Sequence, residues 1–194
     1  MRDADIHRGK KTREALRRAF TTVLVALTIA GCTFSGVKPN LLGAAPATAP
    51  KTLVIGDVGV ADPLWESYRL HFVRGVSEWL KRNGGFETVL TARPAVLATE
   101  SITLTGIITE VDKGSTALRW IVGMGAGQAK VKGDFRLLGP DGAEMVKFTA
   151  RESYLGGAGI GGAGFLDMED LVRRFAETVA ETTRKWTRGE KIDE

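Results

Sequence analysis

Gln128-Ala129-Lys130-Val131-Lys132-Gly133-Asp134-Phe135-Arg136-Leu137 alternates strictly between two kinds of residue. Ala129, Val131, Phe135 and Leu137 lie on one side with Gly133, and Lys130, Lys132, Asp134 and Arg136 lie on the other. A two-residue period marks a strand with one face on a core and the other in water. Gly139-Pro140-Asp141-Gly142 then gives a hairpin signal, and residues 145–153 return with Val146, Phe148 and Ala150 inward. A strand pair wet on one face is the antiparallel pattern. Upstream, residues 102–111 (ITLTGIITEV) read as a longer strand in which Gly106 marks a bend or bulge.

Further toward the N-terminus the pattern changes. Leu53-Val54-Ile55 is a continuous apolar run ending at Gly56-Asp57, as expected of an interior strand buried on both faces. Asp62 before Pro63 is a helix start. Leu64, Trp65, Tyr68, Phe72, Val76, Trp79 and Leu80 then form one helical stripe, closed by Gly84-Gly85. Phe86 to Leu90 is the next strand, which makes a βαβ unit with parallel strands. A last helix begins near Asp167 and Asp170, in a spacing like a capping box, and buries Met168, Leu171, Val172, Phe175, Val179 and Trp186. The expected fold class is α+β, an α/β two-layer sandwich. It has a mixed sheet of about five strands with two main helices on one face.

The first sixth of the chain reads as an address. Arg2, Arg8, Lys10, Lys11, Arg13, Arg17 and Arg18 precede an apolar run, AFTTVLVALTIA, at residues 19–30. Ile29, Ala30 and Gly31 then precede Cys32, the only cysteine. An aliphatic residue, two small ones and a cysteine resemble a lipobox, with cleavage before Cys32 and lipidation of its thiol. The expected organisation is a signal peptide at 1–31 and a lipidated N-terminus with a flexible tether at 32–51. A single domain at 52–188 and a charged tail at 189–194 complete it. The alternative is an uncut, single-span membrane helix, since no residue between Arg18 and Lys38 is charged. Thr33 after the cysteine resembles lipoproteins forwarded to the outer membrane, on its periplasmic side.

Cleavage alters the charge reading. Removing seven basic and three acidic residues from totals of 27 and 23 leaves twenty of each. The excess of positive charge therefore belongs to the discarded segment, and a nucleic-acid partner is not expected. With its one cysteine committed to lipid, the domain holds no internal disulfide and depends on an apolar core.

Candidate chemistry is sparse. Gly157-Ala158-Gly159-Ile160-Gly161-Gly162 fits G-x-G-x-x-G, but Asp167 and Asp170 at the next helix start repel phosphate, and no later strand supplies a ribose ligand. Gly123-Met124-Gly125-Ala126-Gly127, preceded by Ser115, Arg119 and Trp120, is either an anion nest or a strand connection. Gly123, Gly125, Gly127, Gly157, Gly159 and Gly162 thus mark two candidate contact loops. His71 is the only histidine beyond the export segment and lies at the rim of the helical stripe, with no nucleophile motif to serve. The Glu110/Asp112 pair near a strand end is a candidate for acid–base work, though charged turn residues are commoner. Histidine- and cysteine-based metal ligation lacks ligands. No enzyme activity, metal or cofactor is expected. A periplasmic hydrolase and a ligand-binding module are the rivals. The wet face of the hairpin (Lys130, Lys132, Asp134, Arg136, Lys147, Arg151) meets solvent or a partner surface.

Gly106-Ile107-Ile108-Thr109-Glu110-Val111-Asp112-Lys113-Gly114-Ser115, Leu118-Arg119 and Gly123 to Gly127 together resemble a family of uncharacterised bacterial lipoproteins, a domain of unknown function (DUF4410-like). The resemblance takes in the hairpin strands and the last helix. It implies an envelope lipoprotein with a small α/β sandwich and supplies no catalytic residue. The layout is also loosely similar to the periplasmic domain of the curli secretion lipoprotein, without its evident pair of amphipathic hairpins. The expected role is a non-enzymatic interaction or assembly module, with an envelope protein partner or further copies of itself, and a membrane held through Cys32.

Overall fold

The computed structural model describes residues 33–41, 45–114, 128–154 and 167–192. Six strands form one sheet: β1 (Thr33–Leu41), β2 (Thr52–Val60), β3 (Thr88–Leu90), β4 (Ser101–Asp112), β5 (Ala129–Leu138) and β6 (Glu144–Tyr154). Their spatial order is β1-β6-β5-β4-β2-β3. The helices α1 (Glu66–Asn83) and α2 (Met168–Thr187) pack on each other and on one face of the sheet. The α+β class and the single helical layer are as expected.

The parallel and antiparallel halves meet at β4. β2 runs parallel to both β3 and β4, while β4–β5, β5–β6 and β6–β1 are antiparallel. Leu53 and Ile55 face the helices, and Val54, on the opposite side of the same strand, is also fully buried. That is why the run is continuous rather than alternating. β5 instead buries every second residue, from Ala129 to Leu137, as its pattern requires.

The core is organised around an aromatic cluster with members on β5, β6 and both helices. Phe135 of β5 stacks on Phe72 of α1, with ring centroids 5.2 Å apart. It meets Phe148 of β6 at 5.7 Å and Phe175 of α2 at 5.8 Å. Phe72 and Phe175 also touch, at 5.5 Å. Offset and tilted ring pairs contribute beyond their buried area. Gly106 and Gly133 lie against the Phe135 ring, where any side chain would collide with it.

Four details depart from the sequence reading. Gly106 is not the bulge: the β4–β5 register slips between Ile108 and Glu110, and the β2–β4 register between Ile55 and Val58. Gly106 is instead required by the aromatic ring it faces. Leu64 leaves the helical stripe because Pro63–Trp65 is a 3-10 turn, whose tighter winding shifts its phase; it is 83 % exposed. Asp62 still caps that turn, accepting from the Leu64 amide at 2.9 Å. Asp167 caps α2, but Asp170 pairs with Arg173 instead of completing a reciprocal box. The charged tail turns back: Glu190 meets Arg184, and Ile192 packs on the core.

The largest departure is the sixth strand. Residues 33–51, read as a tether, contain β1, which pairs with β6 along its whole length from Thr33↔Tyr154 to Leu41↔Val146. Beyond it, Ala45 lies beside Gly189 and Pro50 is buried. The described part of this stretch is therefore built into the domain.

Candidate functional site

Strand pairing gathers the sequence-predicted features at one end of the sheet. β1 begins at Thr33, immediately after Cys32, and Thr33 sits opposite Tyr154, the last residue of β6. Tyr154 also faces Ala129, the first residue of β5, while Asp112, which ends β4, faces Lys130. The chain leaves for both glycine-rich segments from this end. Ile29, Ala30, Gly31 and Cys32, and the loop residues Gly123, Gly125, Gly127, Gly157, Gly159 and Gly162, lie outside the described residues, as do Ser115, Arg119 and Trp120.

The remaining candidates lie among the described residues. His71 Nδ1 lies 3.4 Å from the Glu169 carboxylate, between the two helices. Glu110 and Asp112 both turn to Lys130, at 2.6 and 4.0 Å, so the two carboxylates share one ammonium as their partner. Among the described residues no three His, Cys, Asp or Glu side chains come together as a metal site, and no helix is long and apolar enough to cross a membrane.

A buried carboxylate escaped the sequence reading. Glu152 of β6 faces the helices and is 1 % exposed. Its Oε2 accepts from Ser35 Oγ of β1 at 2.6 Å and from Thr178 Oγ1 of α2 at 3.2 Å. It thus ties the edge strand that follows Cys32 to the last helix. The signal was present in the alternation, which puts residue 152 on the same side as Val146, Phe148 and Ala150. Burial, the largest effect, raises its carboxyl above the ordinary range, opposed by the two hydroxyl donors and by Arg174, with Glu177 adding to the rise. Between the unfolded carboxyl value of about 4.3 and the raised folded one, the native state holds the extra proton. This group's contribution to stability therefore falls as pH rises through that window and stays lower above it. Glu152→Gln should remove that decline and raise the denaturation midpoint at neutral pH. Matching pH slopes for variant and wild type in urea titrations would refute this assignment.

The outer sheet face carries the other distinctive feature. In register, Lys132 sits opposite Arg151, Arg136 opposite Lys147, and Lys38 opposite Thr149. The carboxylates of β4, β5 and β6 on and beside this part of the face have partners of their own. Glu110 and Asp112 serve Lys130, Glu144 lies 3.5 Å from Arg136, and Asp134 accepts from Thr149 Oγ1 at 2.5 Å. Lys38, Lys132, Lys147 and Arg151 are exposed, and none makes an ion pair among the described residues. Like charges opposite each other across a sheet are unfavourable in the isolated domain.

The family resemblance is borne out: residues 76–158 match the model of a domain of unknown function (DUF4410). The fold is similar to the PelC dodecamer from Paraburkholderia phytofirmans, with a TM-score of 0.53 at 13 % identity, covering 82 % of this chain and 100 % of that one. A substituted form of that PelC dodecamer gives a TM-score of 0.51 at 15 % identity, covering 80 % of this chain and 99 % of that one. Rare lipoprotein B from Shewanella oneidensis overlaps more weakly, with a TM-score of 0.33 at 19 % identity over 67 % of this chain and 88 % of its own. No protein of curated function matches the chain. At these identities the PelC likeness is one of fold.

Proposed function

We propose that this chain is a non-enzymatic lipoprotein, anchored through Cys32 in the outer membrane on its periplasmic side, and that it works as a self-assembling interaction module of the envelope. The observation that carries the reading is the junction at Cys32. The sole cysteine closes an export-like apolar run, and the first strand of the domain starts at the next residue. Several acyl chains on one residue make release negligible, at about 0.8 kcal/mol per buried methylene. Because β1 is part of the sheet, the anchor holds the domain against the bilayer without a spacer. Self-assembly draws its support from fold likeness to a protein that forms dodecamers.

Expressed with its export segment in a Gram-negative host, the native chain should be recovered from membranes with Cys32 at its N-terminus and a mass increased by acyl chains. Cys32→Ala should leave an unlipidated precursor of larger size. Native material that starts at Met1 with an unmodified thiol would support the uncut helix instead. Detergent-extracted lipidated chain should elute as a high-order oligomer; a monomer at micromolar concentration would end the self-assembly part of the reading.

A further inference from the structure

We propose that the outer face of β1, β5 and β6 is a docking surface for anionic phospholipid headgroups, contacted through Lys38, Lys132, Lys147 and Arg151. The proposal rests on the Cys32 anchor and adds to it which face of the domain meets the bilayer. Three observations carry it. The four cations make no ion pair among the described residues, while Glu110, Asp112 and Glu144 are paired with other cations and Asp134 accepts from the Thr149 hydroxyl. Two directly opposed pairs, Lys132 with Arg151 and Arg136 with Lys147, put like charge on like charge, a cost that an external anion removes. The patch is also continuous with the anchor point, because Lys38 lies on the strand that starts one residue after Cys32.

Distance favours a membrane over a remote partner. At about 3.4 Å per residue, Lys38 lies roughly 17 Å along β1 from Thr33. Once Cys32 is in the bilayer, headgroup phosphates are the anions present at the highest local concentration. A basic patch beside a lipid anchor is a recognised second signal for holding a protein to a charged surface. The helical layer lies on the other side of the sheet and presents carboxylates among its cations, as in the Glu66–Arg69 and Asp170–Arg173 pairs.

The test uses the lipidated chain in nanodiscs of phosphatidylcholine alone or of phosphatidylcholine with phosphatidylglycerol, with lysine acetylation rates read by mass spectrometry. In the anionic discs Lys38, Lys132 and Lys147 should react at least about threefold more slowly than in neutral discs, with Lys81 on α1 as an unchanged control. The protection should vanish in molar salt, where the Debye length shrinks from about 10 Å to about 3 Å. A Lys132→Gln, Arg151→Gln variant should lose most of the anionic-disc protection at the two remaining patch lysines, Lys38 and Lys147. Rates in both discs equal to those of the detergent-solubilised chain would overturn the proposal. Equal protection in both discs relative to detergent would assign the face to a second copy or another protein and overturn it as well. A chain that fails to enter discs and lacks acyl mass on Cys32 would instead defeat the anchor reading, a result separable from the others.

Discussion

Phe135→Ala should destabilise the domain by about 3–5 kcal/mol, the range of a buried aromatic truncation. The magnitude follows from what surrounds the ring. Phe135 is fully buried and meets Phe72, Phe148 and Phe175, so its loss withdraws contacts from both helices and from β6 together. Collapse into the vacated space is hindered, because the residues against the ring are Gly106 and Gly133, which have no side chains to move in. The cavity therefore persists, and a persistent cavity is what raises the cost of large-to-small changes. Against a total stability of about 5–15 kcal/mol for a domain, this removes a large share. Phe148→Ala, which loses a ring contact to Phe135 alone, should cost less. Denaturant midpoints of the two variants decide the matter. A Phe135→Ala loss below about 2 kcal/mol, or one smaller than that of Phe148→Ala, would show that the cluster does not organise the core.

The hairpin was legible because each of its residues answers to one requirement. Along β5, burial and charge alternate without exception, and the turn residues at 139–142 are those a tight reversal needs. The βαβ unit was legible for a similar reason, its buried strand being apolar on both sides. β1 was not. Of Ser35 and Val37, which sit opposite the buried Glu152 and Ala150, only Val37 is apolar, and Gly36 and Pro39 read as punctuation. Ser35 is polar because its partner is the Glu152 carboxylate, a contact across 117 positions that no local window contains. Pro39 and Lys38 suit an edge strand, where a missing donor and a charge discourage further pairing. Glu152 was hidden in the opposite way. A glutamate at an inward position looks like the end of a strand's buried run, and its two hydroxyl partners lie on elements distant in sequence. The patch on the outer face was visible as a set of charges. Register and pairing were needed to separate the engaged cations from the unmatched ones.

Gly106→Ala should cost about 3 kcal/mol, more than its chemistry alone implies. Two small effects favour the alanine. It reduces the freedom of the unfolded chain by about 0.4–1 kcal/mol, and glycine is a poor strand residue. Neither offsets the geometry. A Cβ on residue 106 would fall within 2.5 Å of the Asp134 carbonyl oxygen and closer still to the Phe135 ring. The ring could tilt only by disturbing Phe72 and Phe175, and the carbonyl is held in the β4–β5 ladder. Relief should therefore come in part from shrinking the ring. In a Phe135→Leu background, Gly106→Ala should cost at least about 1 kcal/mol less than in the wild type, the coupling expected of residues in direct contact. The residual penalty, caused by the backbone oxygen, should remain in both backgrounds. Strict additivity of the two changes would place the ring away from residue 106. A Gly106→Ala cost under about 0.5 kcal/mol, the range of an indifferent surface change, would show that β4 has room to move. The close approach of ring and strand would then not be what fixes glycine there.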